Sequence, residues 1–348
     1  MPMFSNLPYG RPLRVLYMDQ SPLVGNKYVH LKIYLIIMYS ICSRSRTLLW
    51  RFYQYRGFDA NGQPIIEERI KEGSSITEKI LHLSSEDPMT TDTTQRLVSL
   101  LKDYDGVEFG HNFIVDLDWM LPYVENIVHF SGYKSKENNM KFFHPEKLAQ
   151  FYKLRFLHCI LYVPLDLSLM DDLEILSIFK TDFKDYIFGG LKKIMHITLT
   201  YPRNIHYFPL GANTPLKYLE IDWDRDTKSF EFIQDVHTLE GIVLTKVSQL
   251  HDWPDASKMT DLKFVLFDDV NKFSDFRGLS KAPNLEFLRL NISKLKPVQL
   301  EPLLDCKSLK YLSYYGTKKE MAMVQDMFKD IELNVQPSYF PGTDFIYE

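Results

Sequence analysis

The sequence predicts an α/β repeat solenoid, a curved parallel sheet of about ten strand units whose convex side is mostly irregular or made of short helices. Three observations predict it. A hexapeptide of the form LxxLxL recurs along the chain, its spacing is nearly constant, and equivalent positions in successive copies carry compatible chemistry. Such internal periodicity is the signature of stacked repeats, each too small to bury its apolar side alone.

The copies are Leu154-Arg-Phe-Leu157-His-Cys159, Leu173-Glu-Ile-Leu176-Ser-Ile178, Ile194-Met-His-Ile197-Thr-Leu199 and Leu216-Lys-Tyr-Leu219-Glu-Ile221. Four more follow, starting at Leu239, Leu262, Leu285 and Leu309, and the first positions are 19, 21, 22, 23, 23, 23 and 24 residues apart. Weaker copies extend the array: Tyr104-Asp-Gly-Val107-Glu-Phe109 and Val124-Glu-Asn-Ile127 upstream, and Phe328-Lys-Asp-Ile331-Glu-Leu333 downstream. Between Val124 and Leu154 the spacing stretches to 30, and the polar stretch Ser135 to Asn139 reads as an exposed insertion there.

Alternate strand residues face opposite sides. Positions four and six of each motif, such as Leu288 and Leu290, therefore point into the core, and positions three, five and seven face the concave surface. Position two tests the alignment. It reads Lys217, Glu240, Lys263, Glu286, Lys310, an alternation of sign that lets neighbouring strands pair opposite charges. This reads as a ladder that fixes register.

Position three reads Phe156, Ile175, His196, Tyr218, Gly241, Phe264, Phe287, Tyr311. A column so rich in aromatic rings either stabilises the sheet by stacking or forms a partner-binding stripe. Beside it Glu220, Asp222, Asp224, Asp268 and Asp269 gather around Trp223, an acidic surface suited to a basic partner. The candidate partner-binding residues on the concave face are accordingly Phe156, His196, Tyr218, Glu220, Asp222, Phe264, Asp268, Phe287, Arg289 and Tyr311.

The chain resembles the leucine-rich repeat family, in an irregular bacterial form, over roughly residues 100 to 335. The piece Gly278-Leu-Ser-Lys-Ala-Pro-Asn-Leu-Glu-Phe-Leu-Arg-Leu290 carries the resemblance best. The family's Asn or Cys, three residues after the last Leu of the strand motif, is replaced by Thr181, Asp224, Val247, Val270, Ser293 or Thr317. A regular asparagine ladder is therefore not expected. The resemblance implies a non-enzymatic scaffold that binds another protein.

Solenoid ends need caps. Residues 47–103 read as an N-terminal cap: Trp50 to Gly57 and Pro64 to Ile70 form a hairpin about Asn61-Gly62, pairing with Ile76 to Leu83, and a helix follows from Thr93 to Lys102. Residues 104–335 are the solenoid. At its end Met321, Val324, Met327 and Phe328 lie at helical spacing and Ile331 to Val335 alternates like a strand, leaving a C-terminal tail over 336–348. Residues 1–46 form a basic and apolar arm. Its apolar run, Leu31 to Cys42, contains Lys32 and is shorter than the ~20 residues needed to cross a bilayer.

Composition narrows function further. The formal net charge is −4, so no global basic field draws the chain to nucleic acid. Cys42, Cys159 and Cys306 are odd in number and far apart, which fits a reducing, cytoplasmic setting and neither a zinc motif nor a disulfide framework. No cofactor motif is present, and the ten histidines, His158 and His196 among them, are dispersed. Two acidic clusters, Asp116-Leu-Asp118 and Asp222 to Asp226, lack the glycine and distal glutamate of a calcium loop. Two other readings remain open at this point. One is a small ligand-binding or enzymatic module within residues 50–120, with the repeats as its targeting arm, and the other is a membrane-associated protein anchored through residues 28–46.

Overall fold

The computed structural model describes residues 51–69, 78–84, 89–110, 113–133, 141–160, 165–188 and 191–337. The arm over 1–46 with its apolar run, the Ser135 to Asn139 insertion and the tail beyond 337 lie outside them. The chain divides into two compact units, residues 1–51 with 69–78 and residues 52–68 with 79–348; the repeats lie in the second.

Strands β1 (Arg51–Phe58) and β2 (Pro64–Arg69) are joined by a tight turn in which the Asp59 carboxylate accepts the backbone N–H groups of Asn61 and Gln63, with Gly62 at φ 72°. Then come β3 (Lys79–Leu83), helix α1 (Thr91–Val98), β4 (Gly106–Phe109), β5 (Ile114–Asp116), helix α2 (Leu117–Met120), β6 (His129–Tyr133) and β7 (Lys141–Phe143). The central array is β8 (Phe156–Ile160), β9 (Ile175–Phe179), β10 (His196–Thr200), β11 (Tyr218–Asp222), β12 (Gly241–Thr245), β13 (Phe264–Asp268) and β14 (Phe287–Asn291). Strand β15 (Tyr311–Gly316), helix α3 (Lys318–Met327) and β16 (Glu332–Pro337) close it.

Fourteen strands form one sheet in the order β16-β15-β14-β13-β12-β11-β10-β9-β8-β6-β4-β3-β1-β2, while β5 and β7 pair in a small separate sheet. From β3 to β16, twelve strands of the large sheet pair in parallel with one constant register. This is the leucine-rich-repeat-like solenoid, an open parallel sheet returned by short helices. Motif positions one, four and six are its core. Leu216, Leu219 and Ile221 in one unit, and Leu285, Leu288 and Leu290 in another, are all essentially inaccessible. Each such side chain contributes about 1.5–3 kcal/mol by leaving water. Repeats of 19 to 24 residues leave little chain for the return path, and its helical part is mostly single 3-10 turns such as Glu231–Ile233 and Ala256–Lys258.

The register also corrects two of the weaker motifs. Leu157 pairs with Phe130, so the sixth strand's motif is Ile127-Val-His-Phe130-Ser-Gly132, three residues later than Val124 to Ile127. Val124 instead lies in a turn where Ile127 N–H bonds the Tyr123 carbonyl, and a glycine at position six conceals the true motif. At the far end Leu312 pairs with Leu333, so Leu333 and not Ile331 is position four. Ile331 is spent on the helix exit, its N–H donated to the Phe328 carbonyl.

The charge ladder is present at position two and extends beyond the five residues read from sequence. Lys217 meets Glu240 at 3.0 Å and Glu286 meets Lys310 at 2.8 Å, with Lys263 between the two pairs. Arg155 and Glu174, the same position in earlier units, form a two-pronged pair at 2.9 and 3.1 Å. Lys79 and Asp105 precede them, and Val128 and Met195 separate the runs. Half-exposed pairs of this kind contribute up to about 1 kcal/mol each. Their larger effect is to disfavour register slips, which would place like charges together.

No asparagine ladder closes the turns. After β9 to β13, the residue at position eight adopts the left-handed conformation in five successive units: Lys180, Tyr201, Trp223, Lys246 and Asp269, with φ between 53° and 59°. Each N–H reaches the carbonyl of the next strand's last residue at 2.7–2.9 Å. The turn thus carries the parallel ladder one residue further while swinging the chain toward the core, at a backbone cost of about 1–2 kcal/mol per non-glycine residue.

Gly278, in the segment closest to the family pattern, has a steric role. A Cβ there would stand 2.0 Å from the Trp253 carbonyl oxygen and 2.4 Å from that of Pro254. Gly278→Ala is expected to destabilise by roughly 1–3 kcal/mol. Gly211→Ala, whose Cβ would meet no atom within 4 Å, should stay within about 0.5 kcal/mol of the parent. Thermal unfolding of the two variants side by side tests this, and coincident midpoints would refute the packing assignment.

Candidate functional site

The outer face of the sheet, opposite the core, carries positions three, five and seven. In the third-position column Phe287 and Tyr311 stack at 4.2 Å with planes 4° apart, Phe264 tilts against Phe287 at 5.5 Å, and His196 meets Tyr218 edge-on at 6.1 Å. Spacing between parallel strands of about 4.8 Å brings like rings into this contact. Phe156, His196, Phe264, Phe287 and Tyr311 are only 3–6% exposed, whereas Tyr218 is half-buried and donates its hydroxyl to Glu240 at 3.1 Å.

Positions five and seven of the middle strands carry the charge. Glu220 accepts the Thr198 hydroxyl at 3.2 Å, Asp268 accepts the Asn291 amide, and Asp222 shares β11 with Glu220, one strand removed from β13 and Asp268. All three carboxylates are half-buried, as is Arg289 on β14. Burial, then the neighbouring Glu220 and Asp268, push the Asp222 carboxyl up to about 6, against the pull of Lys246. Its Oδ1 is buried with no hydrogen-bond partner among the described residues.

Lys246, whose charge draws the Asp222 carboxyl down, also sits on a ring. Lys246 holds its ammonium 3.5 Å from the centre of the Trp223 ring, Trp223 stacks on Tyr201 at 5.4 Å, and the Lys180 ammonium lies 5.9 Å from the Tyr201 ring. Four successive left-handed turns thus build a rim of two stacked rings with a cation at each end, beside the carboxylates. Sequence reasoning singled out Trp223 but missed the rim. The available signal was position eight of each repeat, two residues past the last inward-facing one.

The two acidic clusters differ in how the fold gathers them. Asp222 is half-buried on the outer face, Asp224 is 1% exposed, and Asp226 is exposed. Asp116, Asp118 and His144 are the one group among the described residues whose ligand atoms all lie within 4.8 Å, and there Lys147 already reaches Asp118 at 2.6 Å. No helix among the described residues is long and apolar enough to cross a membrane.

No protein-family model and no curated protein matches the sequence. Among solved structures, a leucine-rich-repeat protein of Leptospira interrogans is similar at 13% identity and a TM-score of 0.32, covering 74% of this chain and 83% of that one. The leucine-rich-repeat ectodomain of the plant membrane receptor kinase GASSHO1/SCHENGEN3 from Arabidopsis thaliana, in complex with Casparian strip integrity factor 2, is similar at 12% identity and a TM-score of 0.37. That match covers 74% of this chain and 34% of the ectodomain.

Asp224 occupies the position where the family places its asparagine. Its Oδ1 accepts the N–H groups of Asp226 and Thr227 at 2.9 and 3.0 Å, and its Oδ2 is buried without a partner among the described residues. Burial raises its carboxyl above the ordinary value. A group whose folded-state pKa is raised costs stability once the unfolded chain has ionised, and the cost vanishes at lower pH. Asp224→Asn keeps the acceptor and removes the charge. The variant is expected to melt above the parent at pH 7, with the gain shrinking as pH falls toward about 4; a parent that melts at or above the variant at pH 7 would contradict this.

Proposed function

We propose that this chain is a non-enzymatic recognition scaffold that receives a basic surface of another protein on the outer, concave face of its sheet, centred on β11 to β13. The observation that carries the reading is the trio Glu220, Asp222 and Asp268, half-buried carboxylates beside Lys246, whose ammonium lies on the Trp223 ring. Like charges confined this way gain most when a partner cation arrives, because desolvated charge pairs are worth more than exposed ones. Tyr218 and Arg289 flank the trio, and Phe156, His196, Phe264, Phe287 and Tyr311 form a packed column beside it. A pre-packed column lowers the entropy cost of binding.

In this reading residues 104–335 provide the recognition surface, 47–103 cap its first strands, and 1–46 and 336–348 are arm and tail. The buried free thiols of Cys159 and Cys306 support a reducing, cytoplasmic setting.

The test follows from the burial. Phe264→Ala or Phe287→Ala would cost about 3–5 kcal/mol as core truncations and confuse folding with binding. Glu220→Gln with Asp222→Asn changes charge and leaves shape. Capture of binding proteins from the producing cells by parent and double variant is expected to show at least tenfold weaker retention by the variant, with parent binding sensitive to salt. Retention by the parent should also fall as pH drops through about 6, where Asp222 takes up its proton. Equal retention by the two proteins at neutral pH rejects the acidic face as the interface.

A further inference from the structure

A single row of side chains crosses the outer face from the acidic trio to Arg289. Glu220 on β11, Val243 on β12, Leu266 on β13 and Arg289 on β14 are successive register partners, all at position five. The row begins with a carboxylate, continues through two apolar side chains and ends with a guanidinium. Three inter-strand steps of about 4.8 Å separate its ends by about 14 Å. We propose that this row reads a matching order of groups on the partner: a cation over Glu220, an apolar side chain over Val243 and Leu266, and a carboxylate over Arg289. The code rests on the scaffold reading above and adds an acidic group that a purely basic partner lacks.

Arg289 is the member that calls for a carboxylate. It is half-buried, and among the described residues neither a hydrogen bond nor an ion pair reaches its guanidinium. The carboxylate diagonal to it, Asp268 on β13, accepts the Asn291 amide instead. Its register partner on β15, Ser313, has its hydroxyl buried and without a hydrogen-bond partner among the described residues. The cations Arg155 and Lys217, by contrast, are already paired with Glu174 and Glu240. A partly desolvated arginine gains most from a planar carboxylate, which takes two parallel hydrogen bonds from its fork. One fixed positive charge, with Asp268 on the neighbouring strand, suits a monoanion better than a doubly charged phosphate.

The middle of the row sets a second condition. Val243 and Leu266 keep only 8% and 6% of their surface and offer no hydrogen bond, so a charged partner group placed there would lose water without gaining a partner. An extended segment meets all the conditions at once. Its alternate side chains share one face, and residues i and i+4 stand about 13 Å apart at about 3.3 Å per residue. Laid across the strands, a segment with a basic, an apolar and an acidic residue at alternate positions therefore matches Glu220, the apolar middle and Arg289 in turn.

Two short capped peptides test this on the full-length protein, one with arginine, leucine and glutamate at alternate positions and the other with arginine in place of the glutamate. Calorimetric and chemical-shift titrations at low salt are expected to show at least fivefold tighter binding of the first, although the second carries more positive charge. Arg289→Gln should abolish the preference and Arg289→Glu reverse it, and Glu220→Gln with Asp222→Asn should weaken both peptides. Arg289→Gln decides the matter if Arg289→Glu fails to fold. Equal or tighter binding of the two-arginine peptide by the parent, still weakened by the double variant, would sink the row and leave the acidic face standing. Binding that the double variant does not weaken would remove the acidic face as well. A preference that survives Arg289→Gln, or no saturable binding of either peptide, would overturn the row.

Discussion

The constraint on which the structure depends is constant register between parallel neighbours. One unit offers a five-residue strand and a short return path, too little to bury Leu216, Leu219 and Ile221 by itself. Stacking solves this only if position four of each strand meets position four of the next, because a slip by one residue would turn the whole apolar row outward. From Leu81 to Leu333 the pairing keeps that rule. Everything functional inherits it: like positions become columns, and each column acquires one chemical character.

The turn after each strand is the second consequence. A solenoid must leave the sheet without wasting the N–H that follows the strand, and the left-handed residues at position eight meet both needs. Glycine or asparagine would be the inexpensive choice. The presence of lysine, tyrosine and tryptophan there is explained by their side chains, which stack along the rim and recover part of the cost through ring and cation contacts. Backbone strain and surface chemistry are therefore coupled in the same residues, and the rim stands beside the acidic trio.

The repeat was legible because its signal is apolar and periodic, the kind of pattern that survives substitution of leucine by isoleucine, valine or phenylalanine. It became illegible where chemistry departed from that class. Gly132 at an inward position hid one motif, and a helix exit displaced another by two residues at Ile331. The charge ladder was readable from Lys217 onward because its members are consecutive, while Arg155 and Glu174 were separated from that run by Met195. The rim leaves no trace in residue type, since lysine, tyrosine, tryptophan and aspartate have no common preference for a left-handed turn.

Packing also separates two roles that the sequence presents together. Position three looks like a recognition stripe in one dimension, because aromatic residues dominate both interfaces and cores. In the sheet, rings only one strand apart satisfy each other, and Phe264, Phe287 and Tyr311 keep about a twentieth of their surface. At positions five and seven of β11 and β13, Glu220, Asp222 and Asp268 are carboxylates with no ring packed on them, and they stay half-buried beside the ring column. Beside these partly desolvated carboxylates stands a packed aromatic column. Its rigidity comes from the same register that buries the leucines on the other side of the sheet.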